Sequence, residues 1–190
     1  MPIFQWYFNQ SGKVADMLRM LGKSKVLITS LALMLIMFVI VMFFVNPSID
    51  GADGSGVLKL QLSFEKNTGI EIIKNWGESG INNFHKWIFT DYIYSFSYSI
   101  FLASLISCLA MKTGKETRLD NLCFVFLAFF SGALDFLENT IELYFIKNPY
   151  DFSNNLFFIH SIFAAMKWTV VTIVIVYIFV QLVKKKSLRF

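Results

Sequence analysis

At 190 residues, 56% hydrophobic and only 16% charged, with 22 phenylalanines and a mean hydropathy of +0.58, the chain is too apolar for a soluble domain and has the totals of an integral membrane protein. Its formal charge of +4 is unevenly distributed and describes an asymmetry across a bilayer, not a nucleic-acid-binding surface. The two cysteines, Cys108 and Cys123, form no Cys-x-x-Cys pair, which excludes a disulfide oxidoreductase and a thiolate metal site.

In chain order, residues 1–25 form a basic amphipathic segment. Ile3, Phe4, Trp6, Tyr7 and Phe8 make an aromatic cluster, and Val14, Met17, Leu18 and Leu21 recur at helical spacing. Such a helix either lies on the cytoplasmic membrane face or packs beneath the bundle, since both need one apolar face. Residues 26–45 are the first span, with only Thr29 and Ser30 as polar groups, and read as an anchor at the bundle's edge. Residues 46–91 are an external segment that opens with the glycine-rich linker Asn46 to Gly56. Within it Ile70, Ile72, Ile73 and Trp76 mark a short interfacial helix, with Thr68 as its N-cap and Gly77 as its stop. A second helix starts near Glu78 and leads into span two.

Span two (92–111), a cytoplasmic loop (112–120), span three (121–146), an external loop (147–156), span four (157–183) and a basic tail (184–190) complete the chain. Asp120 is positioned to cap span three, and Asn148-Pro149-Tyr150-Asp151 is a turn signal. The expected fold is therefore all-α, an integral membrane four-helix bundle. Lys13, Arg19, Lys23 and Lys25, then Lys112, Lys115 and Arg118, then Lys184, Lys185, Lys186 and Arg189 fall on one side, so the positive-inside rule places both termini in the cytoplasm.

Spans two to four each carry polar side chains at helical spacing. In span three Ser131, Asp135, Glu138 and Glu142 share one face, with Asn139 beside them; in span two Asp91, Tyr94, Ser95 and Tyr98 do so; in span four His160, Ala164, Lys167 and Val171. At a rise of about 1.5 Å per residue, Asp135, Glu138, Lys167, Tyr98 and Tyr94 all lie roughly 20–26 Å from the cytoplasmic ends of their helices. Asp91, Glu142 and His160 form a second layer at roughly 30–35 Å. An isolated lysine in hydrocarbon is unfavourable, so Lys167 is expected to meet Asp135 or Glu138. The candidate ligand-binding set is Asp91, Tyr94, Tyr98, Asp135, Glu138, Asn139, Glu142, His160 and Lys167.

Asp91, Glu138, Glu142 and His160 are conceivable metal ligands, but one histidine among scattered acids does not specify a site, and no metal is expected. His85, beside Phe84 and Trp87, reads as interfacial. No phosphate loop, nucleophile elbow or paired-histidine zinc motif occurs, and no cofactor is expected.

Trp76-Gly77-Glu78-Ser79-Gly80, Asp91-x-x-Tyr94, Leu134-Asp135-x-x-Glu138-Asn139 and Lys167-Trp168 together give the chain, from Phe64 to Trp168, a pattern that resembles a group of small, uncharacterised bacterial four-span membrane proteins. The resemblance implies a bacterial inner (plasma) membrane and carries no activity. Four-span sterol-isomerase-like proteins also place acids inside a bundle, an analogy of fold alone because their motif residues have no match here.

Three functions are compatible with this pattern. The first is a polar cavity in the outer half of the membrane that binds a small ligand or lipid headgroup. The second is an accessory subunit, in a homo-oligomer or membrane complex, whose buried charges hold helices or a partner. The third is an enzyme that uses the carboxylates as acid and base on a lipid-linked substrate, with Tyr94 or His160 relaying protons and Lys167 stabilising an anion.

Overall fold

A computed structural model describes residues 2–45, 49, 55–113 and 119–187, with side chains for 12–45, 49, 56–113 and 119–184. The helices are α1 (Pro2–Leu21), α2 (Ser24–Ile40, continued by a π-helical turn, Val41–Val45), α3 (Ser55–Gln61), α4 (Lys66–Lys112), α5 (Leu119–Lys147) and α6 (Asn154–Ser187). Among the described residues, four stretches are long and apolar enough to cross a membrane: Ser24–Val45, Lys66–Lys112, Leu119–Lys147 and Asn154–Lys184. Their sequences contain no proline, so none of their backbone N–H donors is removed by a ring.

The one break is Gly77, which sits at φ 61° and ψ −174° inside α4. A side chain there would be strained, and glycine lets the helix before it turn away from the helix after it. Three helix starts differ from expectation. Thr68 does not cap the first part of α4, because the chain already turns at Phe64 (φ 58°), where its N–H donates to Ser161 Oγ at 3.3 Å, and the helix begins at Lys66. Asp120 falls inside the first turn of α5, which starts at Leu119. Span four begins at Asn154 because Ser153 Oγ accepts the Leu156 N–H at 3.0 Å, a capping bond that hydropathy does not register.

Helices α4, α5 and α6 pack against one another, and α2 lies against α4 at the periphery. Leu18 and Leu21 of α1 enter a core with Leu102, Ile106, Val125 and Val174, while Met17 and Met20 stay exposed. Gly22 fits against Ser107 and the Met111 side chain. The second half of α1 therefore packs beneath the bundle; the aromatic cluster at residues 3–8 lies outside the described side chains. Most of the glycine-rich linker, most of the loop after α4, and Arg189 also lie outside the described residues.

A second apolar core closes the opposite end. Val57 and Leu60 of α3, Ile73 and Trp76 before the break, Phe84, Trp87 and Ile88 after it, and Phe145, Phe152 and Phe157 all meet there. Rings pack in sequence, Trp76 tilted against Phe84 at 4.8 Å and Phe84 stacked on Trp87 at 5.5 Å, with Phe145 tilted against Phe152 at 4.4 Å. Gly69 takes part because a Cβ at that position would collide with the Phe157 ring. Outside these cores, Ile28, Ile36, Phe43, Phe96, Phe126, Phe136 and Phe179 project from the helices, an apolar exterior of the kind that lipid contacts.

Candidate functional site

Between the two apolar cores the polar faces of α4, α5 and α6 converge. Ser131, Asp135, Glu138, Asn139 and Glu142 repeat at three- and four-residue intervals on α5, and the helix turns all five inward. The exterior positions Phe136, Leu137 and Tyr144 fall on its other side.

Lys167 is the centre of the first cluster. Its Nζ donates to Asp135 Oδ1 at 2.8 Å and stands 2.6 Å from Glu138 Oε2, a close ion pair whose approach angle is not that of a hydrogen bond. The Tyr98 hydroxyl donates to Asp135 Oδ2 at 3.1 Å and also approaches the Ser131 carbonyl at 3.2 Å. One carboxylate thus receives an ammonium on one oxygen and a phenol on the other, a well-satisfied buried ion pair. Glu138 Oε1 has no hydrogen-bond partner.

A second cluster lies one turn further along α5. Glu142 Oε1 and His160 Nε2 are 3.0 Å apart, and both side chains are 0% exposed. Gln61, buried in α3, faces the same carboxylate. The Nδ1 of His160 has no partner, and its ring lies edge-on to Phe145 at 5.2 Å. Asp91 does not join this layer as its depth suggested; it accepts from Asn139 Nδ2 at 3.0 Å, because the shared face of α4 and α5 brings those two together first. Tyr94 packs its ring against Tyr98 at 5.5 Å and Phe38 at 6.4 Å.

All nine sequence-selected residues therefore sit at or beside one polar core, and eight of them are held there by polar contacts. Three of the four conceivable metal ligands, Glu138, Glu142 and His160, bring ligand atoms within 4.8 Å of one another, and Asp91 is the one left out. Gln61 was not selected, since nothing in the sequence of a seven-residue helix indicates which bundle residue it will cover. Ser161 was passed over for the same reason: its partner, the Phe64 N–H, is 97 residues away.

On the flank of this core, α4 and α5 leave a shallow apolar groove of about 300 Å³, lined by Tyr92, Ser95, Phe96, Ser99, Phe129, Gly132 and Phe136 among others. Gly132 lets the two helices approach, since a Cβ there would strike Ser99. Its serines are turned back onto their own helix, Ser95 to the Tyr92 carbonyl and Ser99 to the Ser95 carbonyl, which leaves the groove surface apolar.

The chain matches no family model, no curated protein and no solved structure. Fold and site together define a class: an all-helical protein with four helices able to cross a membrane and a buried, mixed-charge polar core among three of them.

Proposed function

We propose that this is a bacterial plasma-membrane protein, with both termini in the cytoplasm, whose polar core in the outer half of the bilayer binds a small ligand or a lipid headgroup. Support for the topology comes from the packing of α1 and the ends of α4 and α6 around one apolar core, which gathers the basic segments at one end. The observation that carries the binding reading is a surplus of acceptors. Four buried carboxylates, Asp91, Asp135, Glu138 and Glu142, share one lysine, and Glu138, Asn139 and Glu142 retain buried oxygens with no hydrogen-bond partner. Such atoms are costly to keep and are rare unless something binds them.

The chemistry favours a ligand that brings donors or positive charge to the unpartnered oxygens. The amine-bearing headgroup of phosphatidylethanolamine has both, and the groove between α4 and α5 is wide enough for part of an acyl chain. The test is thermal unfolding of detergent-purified protein with added short-chain phosphatidylethanolamine, phosphatidylglycerol or free ethanolamine. Stabilisation by an amine-bearing probe, lost in an Asp135→Asn variant that still inserts, supports the reading. Equal stabilisation of both proteins, or none by any probe, overturns it.

A second reading has its own observation. Lys167 closes an ion triad with Asp135 and Glu138, and Tyr98 completes it, as a purely structural lock in an accessory subunit would. Exchanging the two charges, Asp135→Lys with Lys167→Asp, preserves function on that reading and destroys it on the first.

A further inference from the structure

The second cluster carries chemistry that hydrogen bonding leaves unused. Glu138 and Glu142 are four residues apart on α5, so one helix face presents both carboxylates in the same direction, and His160 of α6 meets them from across the interface. Their ligand atoms already lie within 4.8 Å of one another, and all three residues are buried. Ligands bound at about 2.0–2.2 Å to a common ion are separated from each other by roughly 3–4 Å, so closing on a metal takes small side-chain adjustments and no movement of the helices.

Two further observations point to an occupant. Glu138 Oε1, Glu142 Oε2 and His160 Nδ1 lack hydrogen-bond partners among the described residues, in a region sealed from solvent by the aromatic core, although buried atoms of these kinds are normally satisfied. The groups also do not pair off: four buried carboxyl groups face one lysine, and Lys167 already has Asp135 as a hydrogen-bonded partner. A divalent cation beside Glu138 and Glu142 offsets that surplus and leaves Lys167 to Asp135.

We propose that Glu138, Glu142 and His160 form the protein ligands of a site for one divalent transition-metal ion. Two carboxylates and one imidazole suit zinc, manganese or ferrous iron. The imidazole disfavours magnesium and calcium, and the absence of thiolate or thioether ligands disfavours cuprous copper. Three protein ligands leave at least one coordination position open. Gln61 stands beside Glu142 where a partner that orients the ligating carboxylate is expected. This inference rests on the reading of the polar core as a binding site and identifies what part of it binds.

The experiment is metal loading of the full-length protein in detergent. Wild type, Glu142→Gln, His160→Gln and, as a surface control, the exposed acid variant Glu71→Gln are stripped with EDTA, incubated with zinc or manganese chloride, desalted and assayed for bound metal per chain. Wild type and Glu71→Gln are expected to retain one equivalent of zinc or manganese, with affinity weakened about 100-fold or more in Glu142→Gln and His160→Gln. In manganese-loaded wild type, electron spin-echo spectroscopy should show coupling to one imidazole nitrogen, a result that does not depend on any variant folding. Wild type that retains no metal, or metal retained without nitrogen coupling and unaffected by His160→Gln, overturns the proposal. If metal is not retained but phosphatidylethanolamine still stabilises the protein in an Asp135-dependent way, only the metal site falls. If neither binds, the binding reading falls with it.

Discussion

Lys167 of α6 and Asp135 of α5 are joined across the bundle by a 2.8 Å hydrogen bond between groups that are nearly solvent-free. Neither residue can be removed without consequence for the other. Replacing Lys167 with methionine leaves Asp135 and Glu138 facing each other with no cation between them, and breaking a buried pair in this way typically costs about 3–5 kcal/mol. Lys167→Met should destabilise the protein by that order in denaturant titration, and adding Asp135→Asn should recover part of the loss. Additive losses in the double variant would show that the two residues do not act as a pair.

Tyr98 supplies the second donor to Asp135, at 3.1 Å. Tyr98→Phe keeps the ring and removes that bond, so it should cost about 1–2 kcal/mol. A loss well below that in the same titration would mean the hydroxyl does not hold the carboxylate.

Gly77 adopts φ 61°, where an L-residue is strained. Nothing stands within 4 Å of a Cβ placed there, so Gly77→Ala isolates the backbone effect. It should destabilise by about 1–2 kcal/mol, and limited proteolysis should show that the loss is greatest between Lys66 and Trp87. Uniform protease resistance would show that the turn at Gly77 does not set the position of the helical segment before it.

Metal occupancy at Glu138, Glu142 and His160 requires these groups without their protons, so zinc binding should weaken as the pH is lowered and release protons when it occurs. Asp135, Asp91 and Lys167 stand within the same core. Calorimetry in two buffers of different ionisation enthalpy measures the protons released, and a buffer-independent enthalpy would contradict coordination by these groups.

The four apolar runs were legible because spanning a bilayer demands about 20 continuous apolar residues, a signal that needs no tertiary information. That Lys167 meets Asp135 or Glu138 was legible for a related reason, since helical rise fixes depth and depth with sign of charge leaves few partners; that it meets both was not. Depth alone misassigned Asp91, whose partner Asn139 is decided by which faces of α4 and α5 abut. The roof over the site was not readable. Leu60 and Gln61 come from a short helix next to the turn at Phe64 and Phe152 from the loop between α5 and α6, and periodicity does not report how a chain folds back on itself. Helix starts at Lys66 and Asn154 were missed because single bonds, from Phe64 to Ser161 and from Leu156 to Ser153, set them.

The most direct test of the central claim is the melting temperature of metal-stripped, lipid-poor protein as wild type and as Glu142→Gln. Asp135 is tied to Lys167, whereas Glu142 meets a histidine and an amide, so its charge can be removed while its hydrogen-bonding shape is kept. If the core is held polar for a ligand, its empty form keeps the buried Glu142 carboxyl group at a cost to stability, and Glu142→Gln should melt at a higher temperature than wild type while losing its response to added zinc. A variant that melts at a lower temperature than the stripped wild type would show that Glu142 serves the fold, and would contradict the account.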